Sequence, residues 1–325
     1  MTILGIKEIT RDIIIPPFST DSSCLDSLLA AAAIHKKVRQ TIRPLIKPGT
    51  KIFNIAKYIS DITRYCVEGD RSRIKIPIHA NGGIPFPPCI SIDNIVAHHI
   101  PSCKVDEFIR ADSNVKIDMG VHINGWAIDS AFTCYFDPSL APLHDATYEA
   151  ITKAIGKIGL EVRVNELGKT ISEIVESTEM KYKGKTYNLK IINGLSGHGI
   201  KQNKLHAEPR IRNKIIQSDL LDTRFTPGVY AVEPLVSIIS PDFNHKITDF
   251  KSYEIDENNS LYPYFKGMYF SDYDLDYYNQ KISDKYKTSG DFLSKDLNDM
   301  ICHYEHTVYL GKDGKKIILS QDEDY

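Results

Sequence analysis

An Asn-Gly pair between two apolar runs constrains the fold of this chain more than any other local feature. In "VKIDMGVHINGWAIDSAFTCYF", residues 115–136, Asn124 and Gly125 separate two segments of strand-like composition. Both central positions of a type I′ turn need positive φ, which Asn and Gly adopt most readily, so the pair predicts a two-residue β-hairpin loop. The turn also fixes the register, because Ile123 then faces Trp126 and the other pairs follow by counting outward.

The predicted hairpin has one apolar face and one face that carries carboxylates, because side chains alternate between the two faces of a strand. The apolar face is composed of Ile117, Met119, Val121, Ile123, Trp126, Ile128, Ser130 and Phe132. The opposite face is composed of Asp118, Gly120, His122, Ala127, Asp129 and Ala131. Asp118 and Asp129 are diagonal neighbours, roughly 7–8 Å apart at the backbone, so their carboxylates can reach one object between them.

The two aspartates of this face indicate a bound cation. Carboxylates that converge on a partly buried surface repel each other and resist ionisation unless a cation lies between them. The hairpin therefore predicts a divalent metal ion at Asp118 and Asp129. It leaves one alternative open, in which both aspartates face solvent on a hairpin that is exposed on one side.

Three later segments add carboxylates and histidines that interrupt apolar or glycine-rich sequence. "LSGHGIKQNKLHAEP" contains His198 and His206, "PGVYAVEPLVSII" contains Glu233, and "CHYEHTVYL" contains Glu305. With the hairpin aspartates these segments supply four carboxylates, whose charge would balance two divalent ions. Oxygen-rich ligation with one imidazole suits Mn²⁺, Fe²⁺ or Co²⁺ at least as well as Zn²⁺. Because paired ions can activate water and polarise a carbonyl group, the set indicates a hydrolase.

Composition excludes several other classes of protein. The chain has 325 residues, 42% hydrophobic and 25% charged, with a net charge of -2, so no basic field attracts nucleic acid or a membrane. The six cysteines form no C-x-x-C pair, which is typical of reduced thiols in a cytosol. The N-terminus does not have the pattern of a secretory signal, and no window reaches the roughly 18 apolar residues of a membrane-spanning helix.

Two pairs of helices are predicted from apolar spacing and capping residues. The first pair covers residues 22–45 and a helix with Thr50 as its N-cap, and the second covers a helix from Leu140 and one that opens with a Thr170–Glu173 capping box. Thr50 and Thr170 are 120 residues apart, and each pair leads into strand-like sequence. This order predicts an internal duplication of a helix, helix, strand unit, although two helix pairs can also resemble each other by chance.

The ordered set of motifs resembles the methionine aminopeptidases, specifically the type 2 branch of the pita-bread metallohydrolases. The motifs are "NIVAHHIP" with His98, "KIDMGVHINGWAIDSAFT" with Asp118 and Asp129, "GHGIKQNKLHAEP" with His198 and His206, "YAVEP" with Glu233, and "YEHT" with Glu305. The spacing of eight residues between the two histidines resembles type 2 rather than type 1 enzymes. The 72 residues from Glu233 to Glu305 leave room for the helical insert of type 2 enzymes, at about 245–300.

The resemblance implies an α+β pita-bread fold, with duplicated helix-helix-strand halves around a curved antiparallel sheet in one catalytic domain of residues 1–325. It implies two divalent ions (Co, Mn, Fe or Zn) held by Asp118, Asp129, His198, Glu233 and Glu305. Asp129 and Glu305 would bridge both ions, Asp118 would bind one, and His198 with Glu233 the other.

The resemblance also implies the reaction and the roles of the remaining site residues. Water attacks the carbonyl group after an N-terminal methionine, Glu233 shuttles the proton, and His98 and His206 bind substrate and stabilise the tetrahedral intermediate. The positions that match the methionine pocket are Phe86, Leu205 and Leu235. The implied partners are N-termini of nascent polypeptides, met in the cytoplasm and at the ribosome, and the implied state is a monomer.

Two other functions remain open at the level of sequence. Xaa-Pro aminopeptidases and prolidases resemble this chain in their metal ligands, but they normally carry an additional N-terminal domain. Non-catalytic pita-bread interaction proteins have lost metal ligands, whereas all five are present here. Departures from the usual type 2 residues are His99, where tyrosine is usual, and Pro234-Leu235, which replaces a Thr-Phe pair.

Overall fold

The computed structural model describes residues 23–68, 81–215, 222–254, 269–270 and 286–323. The helices in these ranges are α1 (Cys24–Ile42), α2 (Ile52–Glu68), α3 (Ala141–Lys157) and α4 (Asn165–Ser177). The first strands are β1 (Gly82–Gly83), β2 (Cys89–Ile92), β3 (Ile95–Ala97), β4 (Asn114–Ile123), β5 (Trp126–Tyr135), β6 (Glu179–Tyr182), β7 (Lys185–Asn188), β8 (Lys190–Ile191) and β9 (Ser196–Lys201). The remaining strands are β10 (Lys204–Arg212), β11 (Gly228–Val232), β12 (Leu235–Ser237), β13 (Phe243–Glu254), β14 (Tyr269–Phe270), β15 (Tyr286–Ser294), β16 (Ile301–His303), β17 (His306–Leu310) and β18 (Lys316–Ile318). The predicted α+β class is confirmed.

The first predicted helix pair forms, but the prediction that Thr50 caps its second helix is wrong. α1 begins after Ser23, whose side chain accepts a hydrogen bond from the Asp26 N–H at 3.2 Å. The Thr50 hydroxyl instead donates to the Leu45 carbonyl oxygen at 3.0 Å, and α2 begins only at Ile52. The reason is a bridge to a neighbouring segment, in which the Thr50 carbonyl accepts a hydrogen bond from the Ile109 N–H at 3.0 Å.

The predicted capping box of the second pair is also wrong, because α4 begins at Asn165 and Thr170 lies inside it. The Thr170 hydroxyl donates to the Glu166 carbonyl oxygen at 2.9 Å, the i−4 contact of a helix interior. Val164 and Leu167 are buried in the adjacent core, which extends the apolar helix face upstream of the polar threonine.

Each helix pair packs on its own apolar core. The first core joins α1 and α2 to the β4–β5 hairpin, and the second joins α3 and α4 to β11, β12 and β17. The starts of α1 and α3 are 141 − 24 = 117 residues apart, and those of α2 and α4 are 165 − 52 = 113 apart. The interval of 120 between Thr50 and Thr170 therefore does not join equivalent positions, and the duplication stays a prediction.

The β4–β5 hairpin has the register that the Asn-Gly turn predicts. Ile123 pairs with Trp126 and Gly120 with Asp129, while Asn124 and Gly125 have φ values of 52° and 75°. The face that carries the aspartates is covered by protein, since Ala131 is fully buried. The alternative of a hairpin exposed on one side is therefore excluded.

The second sheet contacts the hairpin along β5, and this junction positions the site. Its strand order is β10-β9-β11-β17-β18, and all pairs are antiparallel. Glu305 N–H donates to the Ala131 carbonyl oxygen at 2.8 Å, and the Thr307 hydroxyl donates to the Asp129 carbonyl oxygen at 2.6 Å. These hydrogen bonds place Asp129 of one sheet next to Glu305 of the other.

The prediction that the insert at about 245–300 is helical is wrong for its described part, which forms strands followed by bends and turns over residues 295–298. β14, β13 and β15 pair in that order, and β15 pairs with β3, which ends at Ala97. Residues 255–268 and 271–285 lie outside the described residues. The insert is therefore joined to the strand that leads directly into His98.

Two further features follow from the described residues. All six thiols are free. Among the described helices, none is both long enough and apolar enough to cross a membrane.

Candidate active site

A cavity of about 360 Å³ opens where the hairpin and the second sheet meet. Nine of the ten residues that the sequence assigned to the site line this cavity: Phe86, His98, Asp118, Asp129, His198, Leu205, His206, Glu233 and Glu305. The exception is Leu235, which is fully buried in a small cluster with Val96, Ile192 and Ile301. The topology thus collects residues from across some 220 positions of the chain into one cavity.

Asp129, His198 and Glu305 form one group of donor atoms on the cavity floor, and all three are buried. His198 Nε2 lies 3.6 Å from Asp129 Oδ2 and 3.9 Å from Glu233 Oε1. These distances are longer than a hydrogen bond. Two donors that each bind one ion at about 2.1 Å can lie up to about 4.2 Å apart, so the separations fit a shared cation.

Glu233 and Glu305 form a second group with His303, which sequence reasoning did not single out. His303 Nε2 lies 3.8 Å from Glu233 Oε2 and 3.8 Å from Glu305 Oε2. A signal was available, because His303 precedes Glu305 by two positions and residues i and i+2 of an extended segment share a face.

Asp118 lines the same cavity but belongs to neither group. Its Oδ1 is buried and accepts no hydrogen bond from the part of the chain that the structure describes. Burial raises the pKa of Asp118 well above its ordinary value, and the nearby Asp129 and Glu233 raise it further. A buried carboxyl oxygen of this kind is satisfied by either a proton or a metal ion.

Glu305 and Glu233 on the floor also resist ionisation in the protein alone. Burial raises the pKa of Glu305 well above its usual range, with Asp129, Glu233 and Asp118 adding to the shift. Burial raises the pKa of Glu233 to about 8, although His198 and Arg210 act in the opposite direction. Four carboxylates that cannot all be charged together fit two divalent ions, whose charge would balance theirs.

Glycines on both sides of His198 let its strand pass between two neighbours. A Cβ at Gly197 would lie 2.3 Å from the Ala231 carbonyl oxygen, and one at Gly199 would lie 2.4 Å from the Glu208 carbonyl oxygen. Since the atoms that they would meet belong to the backbone, no side-chain movement relieves these contacts. His198 can therefore occupy this position only because glycine stands on both sides of it, in the sequence "GHG".

Replacing Gly197 with alanine should destabilise the protein by about 1–3 kcal/mol, because the added methyl overlaps the Ala231 carbonyl group. Urea unfolding measures this change. Gly156→Ala is the matched control, since a Cβ at Gly156 in helix α3 meets nothing within 4 Å, and it should leave stability unchanged or slightly higher. Equal stability of the two variants would contradict the packing described for β9.

His98 and His206 lie above the floor, and both are exposed. The His206 ring packs edge-on against the His198 ring with centroids 4.4 Å apart. His98 has a positive φ of 66°, and its ring lies 4.7 Å from that of Phe292. Their exposed rings can meet a substrate in the cavity, while Phe86 and Leu205 supply apolar wall.

His99 holds the segment around His98 in place. Its ring nitrogens lie 2.9 Å from Asp291 Oδ1 and 2.9 Å from Glu107 Oε2, so the imidazole joins the insert strand β15 to the loop after His98. Burial alone would lower the pKa of His99, but the hydrogen bonds to Asp291 and Glu107 outweigh it and raise the pKa to about 9. A charged imidazole therefore takes the position where tyrosine was expected.

This imidazolium should make stability fall with rising pH. A histidine whose pKa is higher in the folded chain stabilises it fully below 6.5 and loses that contribution as pH rises to about 9. For the metal-stripped protein, the fall between pH 6 and 9 should be larger than in His99→Gln, by up to about 3 kcal/mol. Urea unfolding at both pH values gives the difference.

His144→Gln is the matched control for this pH effect. His144 is also buried, but burial lowers its pKa to about 3, so it is neutral across this range. Because unfolded His144 still titrates near 6.5, the control should keep the fall between pH 6 and 9 or steepen it by up to about 1 kcal/mol, whereas His99→Gln should make the fall smaller. An unchanged slope in His99→Gln would contradict the charged state assigned to His99.

Comparison with known proteins places the chain and its fold in an established class. The chain belongs to metallopeptidase family M24, whose sequence pattern matches residues 26–311. It is similar to Methionine aminopeptidase 2 of Encephalitozoon hellem, at 32% identity over 330 residues, covering 94% of this chain and 89% of that protein. The resemblance to type 2 methionine aminopeptidases is therefore confirmed.

Solved structures share the fold across nearly the whole chain. A methionine aminopeptidase from Thermotoga maritima has a TM-score of 0.64 at 18% identity, with 95% of this chain and 100% of that chain covered. A thermophilic Arx1 has a TM-score of 0.68 at 16% identity, with 93% and 91% covered. At these identities the likeness concerns the fold alone, which is the α+β pita-bread fold.

Proposed function

We propose that this chain is a type 2 methionyl aminopeptidase, which hydrolyses the bond after an N-terminal methionine. One observation carries the proposal: four carboxylates and His198 converge on the buried floor of a cavity whose exposed histidines, His98 and His206, can meet a peptide. The relatives named Methionine aminopeptidase 2 support the same substrate.

The donor set would hold two divalent ions. The residues are Asp118, Asp129, His198, Glu233 and Glu305, with Co²⁺, Mn²⁺, Fe²⁺ or Zn²⁺ as candidates. Glu305 supports a bridging role because it belongs to both donor groups. When bound, such ions supply Lewis-acid polarisation of a carbonyl group and lower the pKa of water.

Glu233 is assigned the proton transfer. The oxygen of water adds to the carbonyl carbon of methionine, its proton passes to the Glu233 carboxylate, and Glu233 returns that proton to the amide nitrogen as the C–N bond breaks. The products are free methionine and the shortened peptide. Glu233 lines the cavity beside His198, where its carboxylate can exchange a proton with water and with the substrate.

His98 and His206 are assigned to substrate binding and to the tetrahedral intermediate. Ring N–H groups can donate to the carbonyl oxygen as negative charge develops on it. Phe86 and Leu205 would form the wall around the methionine side chain. Leu235 would act from behind this wall, since it does not line the cavity.

The wider assignments are part of the same proposal. The chain would act as a monomer in the cytoplasm on N-termini of nascent polypeptides, including those at the ribosome. We propose one catalytic domain of residues 1–325, with an insert at about 245–300 and duplicated halves around a curved antiparallel sheet.

Substrate preference tests this function. The metal-loaded protein should release the first residue of Met-Ala-Ser and leave Ala-Pro peptides intact, with products identified by mass spectrometry. Preference for the Ala-Pro peptide would replace the proposal with an Xaa-Pro peptidase. Metal binding without cleavage of either peptide would replace it with a non-catalytic interaction protein.

A further inference from the structure

His303 occupies a rigid position beside the carboxylate floor. It is the last residue of β16, pairs with Leu235 of β12, and is 3% exposed. Its N–H donates to Thr133 Oγ1 at 2.9 Å, and Thr133 Oγ1 donates to its carbonyl oxygen at 2.7 Å. The backbone of His303 is thus fixed from both sides by β5, the strand that carries Asp129.

The ring of His303 points between two carboxylates without hydrogen bonding to either. Its Nε2 lies 3.8 Å from Glu233 Oε2 and 3.8 Å from Glu305 Oε2, beyond the range of a hydrogen bond. Within the described ranges this buried nitrogen has no hydrogen-bond partner. A buried nitrogen without a partner costs free energy unless a further atom binds it.

The space between the donor atoms of Glu233, His303 and Glu305 is large enough for one coordinated ion. Two donor atoms bound to one ion at about 2.1 Å can lie up to about 4.2 Å apart. The distances from His303 Nε2 to the Glu233 and Glu305 carboxylate oxygens are both within this limit. The same test is met by His198 with Asp129 and Glu233. The floor therefore offers one imidazole to each of two adjacent positions.

We propose that His303 is a sixth metal ligand, which binds the second ion together with Glu305 and with Oε2 of Glu233, whose Oε1 faces His198 instead. The inference rests on the proposed metal centre and adds a nitrogen donor to the five ligands assigned above. An imidazole at each ion favours Zn²⁺, Fe²⁺ or Co²⁺ over Mn²⁺ at both positions, because carboxylate-only ligation is what suits Mn²⁺.

Metal titration of the full chain tests this role without relying on activity. The metal-stripped protein should bind two equivalents of Co²⁺ in isothermal titration calorimetry and in visible absorption. His303→Gln should bind the first equivalent as before and the second at least about tenfold more weakly. His306→Gln is the matched control, since this nearby buried histidine hydrogen-bonds Ser320 at 2.8 Å and should keep both equivalents.

The outcomes separate this inference from the proposed function. Two tight equivalents in both the unmodified protein and His303→Gln would overturn the ligand role and leave the metal centre in place. Absence of binding by the unmodified protein would overturn both. Should His303→Gln fail to fold by circular dichroism, X-ray absorption of the unmodified protein loaded with two Zn²⁺ decides: two coordinated imidazoles support the ligand role, and one overturns it.

Discussion

Replacing Glu305 with alanine should abolish binding of both metal ions and lower kcat/KM by at least about 10³-fold. Glu305 is the only residue shared by the two donor groups found in the described ranges, so its loss removes a ligand from each. The fold should survive, because backbone bonds rather than the carboxylate join this residue to Ala131. Metal content after dialysis and the rate of methionine release measure the two effects.

Asp299→Asn is the contrasting control for Glu305→Ala. Asp299 is fully buried and does not line the cavity. Its carboxylate accepts hydrogen bonds from Ser237, Ser294 and backbone N–H groups, so it stabilises the fold. This variant should lose about 1–3 kcal/mol of unfolding free energy and keep its metal content. Full metal binding by Glu305→Ala would contradict the shared role of that carboxylate.

Replacing His206 with alanine should lower kcat by about 10²–10³-fold while both metal ions stay bound. The ring is exposed in the cavity, so its N–H can stabilise charge on the substrate carbonyl oxygen. It is not one of the residues proposed to bind the metal ions. Steady-state kinetics on Met-Ala-Ser, with metal content measured in parallel, gives the result.

Lys204→Ala is the matched control for His206→Ala. Lys204 is exposed two positions earlier on the same strand and does not line the cavity, so this variant should keep full activity. Loss of metal from His206→Ala, with a proportional loss of activity, would instead make His206 a support for His198, whose ring it contacts.

Much of the candidate site could be predicted from the sequence because its carboxylate and histidine residues interrupt regular local patterns. The Asn124-Gly125 turn fixes the hairpin register and thereby places Asp118 and Asp129 on one face. Glu233 and His198 stand out in the same way, each in apolar or glycine-rich surroundings. Such signals are local, so they can be read before any tertiary contact is known.

Other features depend on tertiary contacts that no local pattern contains. His99 joins Asp291, 192 positions away, and this contact together with the one to Glu107 makes a charged imidazole stable in the interior. Thr170 resembles a helix cap, but burial of Val164 and Leu167 extends α4 upstream of it. His303 shares a face with Glu305, a local signal, but its proximity to Glu233, which lies between β11 and β12, depends on tertiary contacts.

The most direct test of the aminopeptidase function is to measure free methionine released from Met-Ala-Ser by metal-stripped protein after a divalent ion is added back. We expect no release before addition, release after addition of Mn²⁺ or Co²⁺, and none from Asp129→Ala under the same conditions. The aminopeptidase function would be contradicted if the folded, metal-loaded protein released no methionine with Mn²⁺, Co²⁺ or Fe²⁺. Equal release by Asp129→Ala would contradict the assignment of the reaction to this carboxylate-lined cavity.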